Sequence, residues 1–540
     1  MLRARLNARC SPGFAVAVCA AAAGAQPIIE SVNNSSLPRS GRVVLEGSGF
    51  GARSESSAVE FDKLDAIVTT WTDGRIVAYV PEGAALGGNA VRVRAGGEPS
   101  NEVVLDVTVR QSDGRMRWTF ESDGMNQWFR PALAPDGTVY LHTSGGHVYA
   151  LSPDGALLWA ASASWYPYIP PAAGPDGTLY CGSIQTIFAI SPQGEVSWTY
   201  EDASAQGLQN AITVGPDGHL YGAFDYGPGA VSLDTAGSLR WNNTGTPTLF
   251  DYGSLGKRTV FGPSQPDGPI DQVYIGMNLR SDNHLYAFDL DGNQRWAAPV
   301  GPTSRGAEPA IGADGRLYTP DFIAAGPGWV IQALNPDDGS IAWTYDADFN
   351  SGCGDIVVGP NDALYYVRDL GHLESLDPHT RTLRWHNNTG NVLGRPEITP
   401  DGSTLLVHGT PNFGEPGFIW AHDAATGAML WEVPLPGETY PGTRHLATDW
   451  ARITPDGRTA YFSGTTVAGP DDDPHAIFFA IDLTDGCVAD FNGDGAVNTV
   501  DVLAFLNAWV AEDPRADIND DGSVNTQDVL AFLNLWNAGC

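Results

Sequence analysis

Pro135-Asp136-Gly137-Thr138-Val139-Tyr140 is a turn running into an aromatic strand, and the chain repeats it. Pro presets φ, and Gly takes the positive-φ position of such a turn. Close copies are Pro175-Asp176-Gly177-Thr178-Leu179-Tyr180 and Pro216-Asp217-Gly218-His219-Leu220-Tyr221. Degenerate ones surround Tyr274, Tyr318, Tyr365, Leu405 and Tyr461. A second strand follows each, as in Val148-Tyr149-Ala150-Leu151, Ile187-Phe188-Ala189-Ile190 and Leu285-Tyr286-Ala287-Phe288. A short turn then leads to a strand ending in Trp, with Gly four residues earlier. The Trp series is Trp118, Trp159, Trp198, Trp241, Trp296, Trp343, Trp385 and Trp431, and Arg381 stands where Trp385 should have its Gly. These tryptophans lie 39 to 55 residues apart.

Each unit therefore holds about four short strands, the content of one propeller blade. A lone blade cannot bury both faces of its sheet; stacking around an axis buries them, and ring closure protects the edges. Trp118 precedes the first full unit, and the last unit, Pro455 to Leu483, has no Trp strand after it. The Trp118 strand is predicted to complete the last blade, which makes eight blades over residues 113–485.

The segment Asp423-Ala424-Ala425-Thr426-Gly427-Ala428-Met429-Leu430-Trp431 resembles the repeat of pyrroloquinoline-quinone-type (PQQ-type) propellers. That resemblance implies that each Trp docks one blade on the next. Quinone enzymes of this family have a vicinal cysteine pair and a calcium ion in the central funnel. This sequence has no adjacent cysteines and no residue-by-residue match to those ligands. The expectation is no quinone, with a quinone-dependent dehydrogenase ranked last among the functional readings.

Residues 26–108 differ in texture. Short alternating strands, such as Ala58-Val59-Glu60-Phe61 and Ala90-Val91-Arg92-Val93, predict a β-sandwich. Pro27 to Val32, Gly47-Ser48-Gly49-Phe50-Gly51, Trp71-Thr72-Asp73 and Ile76 to Pro81 resemble an IPT/TIG domain, an immunoglobulin-like module.

The last module, 487–540, carries a duplicated pattern. Asp490, Asn492, Asp494, Ala496, Asn498 and Asp501 occupy positions 1, 3, 5, 7, 9 and 12 of an EF-type loop. Asp517, Asn519, Asp521, Ser523, Asn525 and Asp528 do so again 27 residues later. Five side-chain oxygens per loop, a backbone carbonyl at position 7 and Gly495 or Gly522 at position 6 suit a hard cation, so two calcium ions are expected. Asp at position 12 resembles type I dockerins. That resemblance implies a cohesin-like or cell-surface partner recognised through Thr499, Val500, Thr526 and Gln527. Cys487 and Cys540 bracket the module and are expected to pair.

Arg3, Arg5 and Arg9, the apolar run Phe14 to Ala22 and Ala23-Gly24-Ala25 read as a signal peptide over residues 1–25, so a secreted or cell-surface protein that does not span the membrane is expected. Sixty-three acids against 29 bases, a formal charge of -34, exclude nucleic acid and anionic membrane as direct partners. Cys181 and Cys353 read as buried small hydrophobes. No catalytic motif of the zincin, serine-elbow, phosphate-loop or Cys-x-x-Cys type occurs. Trp165, Tyr166 and Tyr168 are the candidates for stacking on a polysaccharide.

The fold class is thus mainly β: an eight-bladed β-propeller preceded by an immunoglobulin-like β-sandwich and followed by a small α-helical calcium-binding dockerin-like module. The leading functional expectation is a non-catalytic binding or scaffolding protein with calcium-dependent attachment. A polysaccharide lyase or glycosidase is the alternative.

Overall fold

The Pro-Asp-Gly turns form as the chemistry of their residues dictates. Asp136, Asp176 and Asp217 each accept, through Oδ1, the N–H two residues on, from Thr138, Thr178 and His219. Gly137, Gly177 and Gly218 hold φ of 87°, 81° and 79°. The computed structural model describes residues 26–540 except 111–114, 125–129, 144–145, 163–170, 183–185, 202–209, 224–229, 244–256, 266–267, 278–283, 300–308, 324–327, 350–355, 369–370, 390–391, 412–416, 436–438, 441–450, 467–474, 485–488, 493–496, 512, 514–515, 519–522 and 539–540. The expected signal peptide, the trio Trp165, Tyr166 and Tyr168, and Cys353, Cys487 and Cys540 lie outside the described residues. So do the loop positions Asp494, Ala496, Asn519 and Asp521.

The described chain is mainly β, with two helices, α1 (Thr499–Val510) and α2 (Thr526–Ala538). Residues 28–108 form two sheets. One runs in the order Ile28–Val32, Arg42–Ser48, Arg75–Tyr79, Ile67–Trp71; the other joins Ser36–Pro38, Val103–Thr108, Gly87–Ala95, Ala58–Phe61 and Leu64–Asp65. Val43, Leu45, Ile76, Val59, Phe61, Val93 and Leu105 close the core between them. The alternation of apolar and polar residues along Gly87–Ala95 is what supplies one face to that core.

From Met116 to Asp482 the described residues form eight antiparallel sheets of four or five strands, built with one exception from consecutive strands, and one short parallel pair, Asn210–Ala211 with Lys257–Arg258. The short inner strands lie side by side, Ala132–Leu133 against Ala172–Ala173 and Val357–Val358 against Glu397–Ile398 among them. Met116–Glu121 is the exception to consecutive order. It pairs antiparallel with Ala476–Asp482, far along the chain, and supplies the outer strand of the last sheet.

In six of the eight repeats the Trp joins two sheets. Its ring packs on the Tyr of its own sheet, with centroids 5.7 Å apart for Trp118–Tyr461 and 5.8 Å for Trp159–Tyr140. Its indole N–H donates to a turn carbonyl of the next sheet: Trp118 to Pro153 (2.8 Å), Trp159 to Pro192 (2.8 Å), Trp241 to Leu290 (3.0 Å), Trp296 to Pro336 (2.9 Å). The Gly of the repeat touches the Trp of the preceding repeat rather than its own. A Cβ on Gly292 would lie 2.4 Å from the Trp241 ring. Arg381, which replaces this Gly in one repeat, keeps the left-handed backbone, at φ 58°. A side chain there costs about 1 kcal/mol. Arg381→Gly is therefore expected to raise the free energy of unfolding by about that much, read as a higher urea midpoint.

The two-sheet unit is fixed to the ring across its closing seam. Tyr79 stacks on Phe120 of the last sheet and meets Tyr149 of the first edge-on, with its hydroxyl 3.2 Å from that of Tyr149. Burial, with Tyr149 and Asp123 close by, holds the Tyr79 phenol well above its ordinary pKa, so it stays neutral. Thr69 and Thr70 both donate to Asp123 (2.8 and 2.6 Å), and Ser40 Oγ accepts the N–H of Leu157 at 2.9 Å. Among the described residues no helix is long and apolar enough to cross a membrane.

Candidate functional site

The inner strands of the last two sheets are each broken in two. In the seventh, Val392–Leu393 and Glu397–Ile398 both pair with Thr404–Thr410, and Gly394-Arg395-Pro396 fills the break. Pro has no N–H to give a ladder, and Gly394 lies so close to the His408 ring that a Cβ would meet it at 2.7 Å. The break turns Arg395 and Glu397 toward one buried cluster. Arg130, just ahead of the inner strand of the first sheet, donates its Nε–H to Ala451 O (2.9 Å) and places Nη2 3.1 Å from Glu397 Oε1. Arg395 Nε is 3.8 Å from the same oxygen. Arg452, first residue of its inner strand, completes the group.

Three guanidinium groups thus share one carboxylate at the inner-strand ends remote from the Pro-Asp-Gly turns. The side chains of Arg130, Arg395 and Glu397 are only 9%, 10% and 12% exposed. Burial first, and Arg130 beside it, push Arg452 down to about 10, while Glu397 pulls the other way. Arg452 Nε is buried without a hydrogen-bond partner. His408, behind Glu397, is pushed down to about 4 by burial and stays a neutral ring. Three guanidinium groups gathered at one place suit a carboxylate-bearing ligand.

The other sequence candidates fall elsewhere. Thr499, Val500, Thr526 and Gln527 are exposed at the starts of α1 and α2. Asp501 and Asp528 are fully buried and close those helices: Asp501 accepts N–H bonds from Asn492 and Asn498, Asp528 from Ile518 and Asn525. Asp490 pairs with Arg458 at 3.1 Å. Cys181 is buried in Leu179–Gly182, with its thiol pushed up to about 12 by burial, so it is inert. Of the tryptophans outside the repeat, Trp420 is a core residue, bonded to Glu432.

A family model described as outer membrane protein assembly factor BamB matches residues 281–451. The quinohemoprotein alcohol dehydrogenase ADH-IIG of Pseudomonas putida is 31% identical over 186 residues, 31% of this chain and 24% of the relative. The 1-butanol dehydrogenase (cytochrome c) of Thauera butanivorans is 29% identical over 178 residues, 30% of this chain and 23% of the relative. Residues 281–451 thus carry PQQ-type repeats within the ring of sheets.

The matches span about a quarter of the length of these relatives. Among solved structures, BamB from Moraxella catarrhalis aligns with TM-score 0.47 and 14% identity over 67% of this chain and 98% of that one. The Dos1 propeller aligns with TM-score 0.48 and 10% identity over 67% and 93%.

Two sequence expectations are corrected. The relatives of this chain are alcohol dehydrogenases, several of them named for their quinone, which overturns the non-catalytic scaffold and places the quinone reading above it. The cofactor expectation of two calcium ions and no quinone falls with it. The Trp–Gly repeat occupies the seams between sheets. In the tail, the described carboxylates Asp501, Asp528 and Asp490 are engaged by backbone N–H groups and Arg458. Among the described residues no group of three or more His, Cys, Asp or Glu is gathered as a metal site.

A quinone cofactor of this type is a planar polycarboxylate, and the residues present fit its charge. Arg130, Arg395 and Arg452 would hold its carboxylates. The adjacent cysteines of the quinone enzymes have no counterpart in this sequence.

Proposed function

We propose that the propeller, with eight blades over residues 113–485, is a quinone-dependent dehydrogenase-like module that takes its anionic cofactor on Arg130, Arg395 and Arg452. The observation that carries this is the gathering of three buried guanidinium groups at one end of the ring in a chain of formal net charge -34. A bound quinone supplies a two-electron acceptor for an alcohol. The protein's own part is binding and orientation. Glu397 keeps Arg130 and Arg395 aimed, Arg452 offers an unused Nε–H, and neutral His408 adds no further positive charge.

The flanking units are read as an IPT/TIG-type sandwich over 26–108 and a dockerin-like pair of loop–helix repeats over 487–540, in a secreted protein. Thr499, Val500, Thr526 and Gln527, exposed at the starts of the two helices, would meet a cohesin-like or cell-surface partner. A polysaccharide is the second candidate partner, on the propeller.

Titration of the tag-free protein with pyrroloquinoline quinone, followed by tryptophan fluorescence, tests the reading. One saturable equivalent is expected, weakening as salt rises. Arg452→Ala should weaken it by about 10- to 100-fold, the worth of a charge-assisted bond. The loaded protein should reduce an artificial dye when given primary alcohols. Absence of saturable binding, or equal binding by Arg452→Ala, would sink the reading.

A further inference from the structure

The junction between the two-sheet unit and the ring holds an acid–base pair that the cofactor reading does not use. Asp123 follows the closing strand, and one of its oxygens, Oδ2, accepts both hydroxyls that the unit offers, Thr69 at 2.8 Å and Thr70 at 2.6 Å. His147, first residue of the strand His147–Leu151, brings Nε2 to 3.7 Å from that same oxygen. Both side chains are covered, His147 being 12% and Asp123 15% exposed. Around them stand Tyr149 of the same strand, Tyr79 and Arg42 of the unit, and the pair Glu121–His475 at the edge of the last sheet.

We propose that His147 is an acid-triggered release for the two-sheet unit, its imidazolium drawing Asp123 Oδ2 away from Thr69 and Thr70. The shared oxygen carries the argument. A carboxylate oxygen has two lone pairs, and the two threonines already take them at short distance. At 3.7 Å the His147 nitrogen is not bonded to it, and a charged N–H there, a stronger donor than a hydroxyl, gains the oxygen only by displacing a threonine. Burial lowers the His147 pKa, with Asp123 pulling the other way, so the ring is neutral at pH 7 while the unit is docked. Lifting the unit opens the pair to water and returns His147 toward its ordinary pKa, about 6.5. The undocked form then binds the proton more readily, so docking is at full strength above that pH and weakens as the pH falls below it. Tyr79 and Tyr149 stay neutral, chiefly through burial. Burial raises the Glu121 pKa, but His475 and Arg42 more than reverse this, and its carboxylate stays charged in the same window.

The test uses full-length, tag-free protein and hydrogen exchange read by mass spectrometry at about pH 7.5 and about pH 5, corrected for intrinsic rates. The strand Ile67–Trp71 lies against Leu157–Ser162 of the first sheet. Its protection should fall about tenfold on acidification, the worth of a hydrogen bond to a charged group, while the inner sheets keep theirs. His147→Gln, which cannot take the charge, should hold the neutral-pH protection at both values, and His475→Gln should keep the wild-type drop. Asp123→Asn, with no carboxylate for the imidazolium to draw, should expose the strand equally at both. Thermal melts at neutral pH separate a lost junction from a lost fold. A flat wild-type profile, or a drop that survives in His147→Gln or Asp123→Asn, overturns the proposal.

Discussion

Trp118→Ala is expected to cost about 3–5 kcal/mol of stability, the usual loss for a buried indole. It should also open the ring in a way that the same change at Trp198 does not. Trp118 is fully buried, packs on Tyr461 of the last sheet and donates to Pro153 of the first, with Gly155 against its ring. It therefore holds both sides of the seam where the two ends of the ring meet. Trp198 makes the same contacts, to Tyr180 and to Thr235 O, inside a sheet of consecutive strands. Urea midpoints give the global loss. Hydrogen exchange gives the local one: in Trp118→Ala, amides of Met116–Glu121 and Ala476–Asp482 should exchange well before those of the inner sheets, whereas Trp198→Ala should leave the seam protected. Equal protection of the seam in both variants would mean that the closing strand is held by its ladder alone.

Glu397→Ala should be nearly as damaging. It takes the Glu397 carboxylate away from buried Arg130, Arg395 and Arg452, and removing one partner of a buried ion pair typically costs about 3–5 kcal/mol. Glu397→Gln should cost nearly as much, because the charge matters more than the volume. A polycarboxylate such as citrate should restore part of the melting temperature of both variants by standing in for the missing carboxylate, and should do so far less for wild type. Loss of stability without any rescue by anions would argue that Glu397 is needed for packing and that the cluster has no appetite for anions.

The repeat was legible because it is made of local chemistry. Turn residues, aromatic strands and Trp recur at a regular period, and each copy reinforces the others. Which Gly touches which Trp was not legible, because that relation runs between neighbouring repeats. Gly292 covers Trp241, not the Trp296 that follows it. The arginine cluster escaped for a related reason. Its members come from the start and the end of the ring, and only closure brings them together. A faint signal existed: Arg130 and Arg395 both stand five residues ahead of a Pro-Asp-Gly turn and are both followed by Pro, in a chain with few bases. In the tail, side-chain oxygens at loop spacing were easy to count. The same carboxylates serve equally well as helix caps, and Asn498, with Asp501 three residues on, forms a capping box.

The seam also decides how the protein carries load. Chain enters the ring beside Arg115 and leaves it beside Asp482, and the Asp482 N–H donates to Arg115 O at 2.8 Å. Both appendages therefore hang from one point on the rim. Tension applied between tail and N-terminal unit does not travel around the sheets. It falls on the two adjacent ends of one antiparallel pair, which would peel apart one rung at a time instead of shearing along its length. Tyr79, Thr69 and Thr70 grip Phe120, Tyr149 and Asp123 at the far end of that pair, so the small unit acts as a clasp where the peeling would finish.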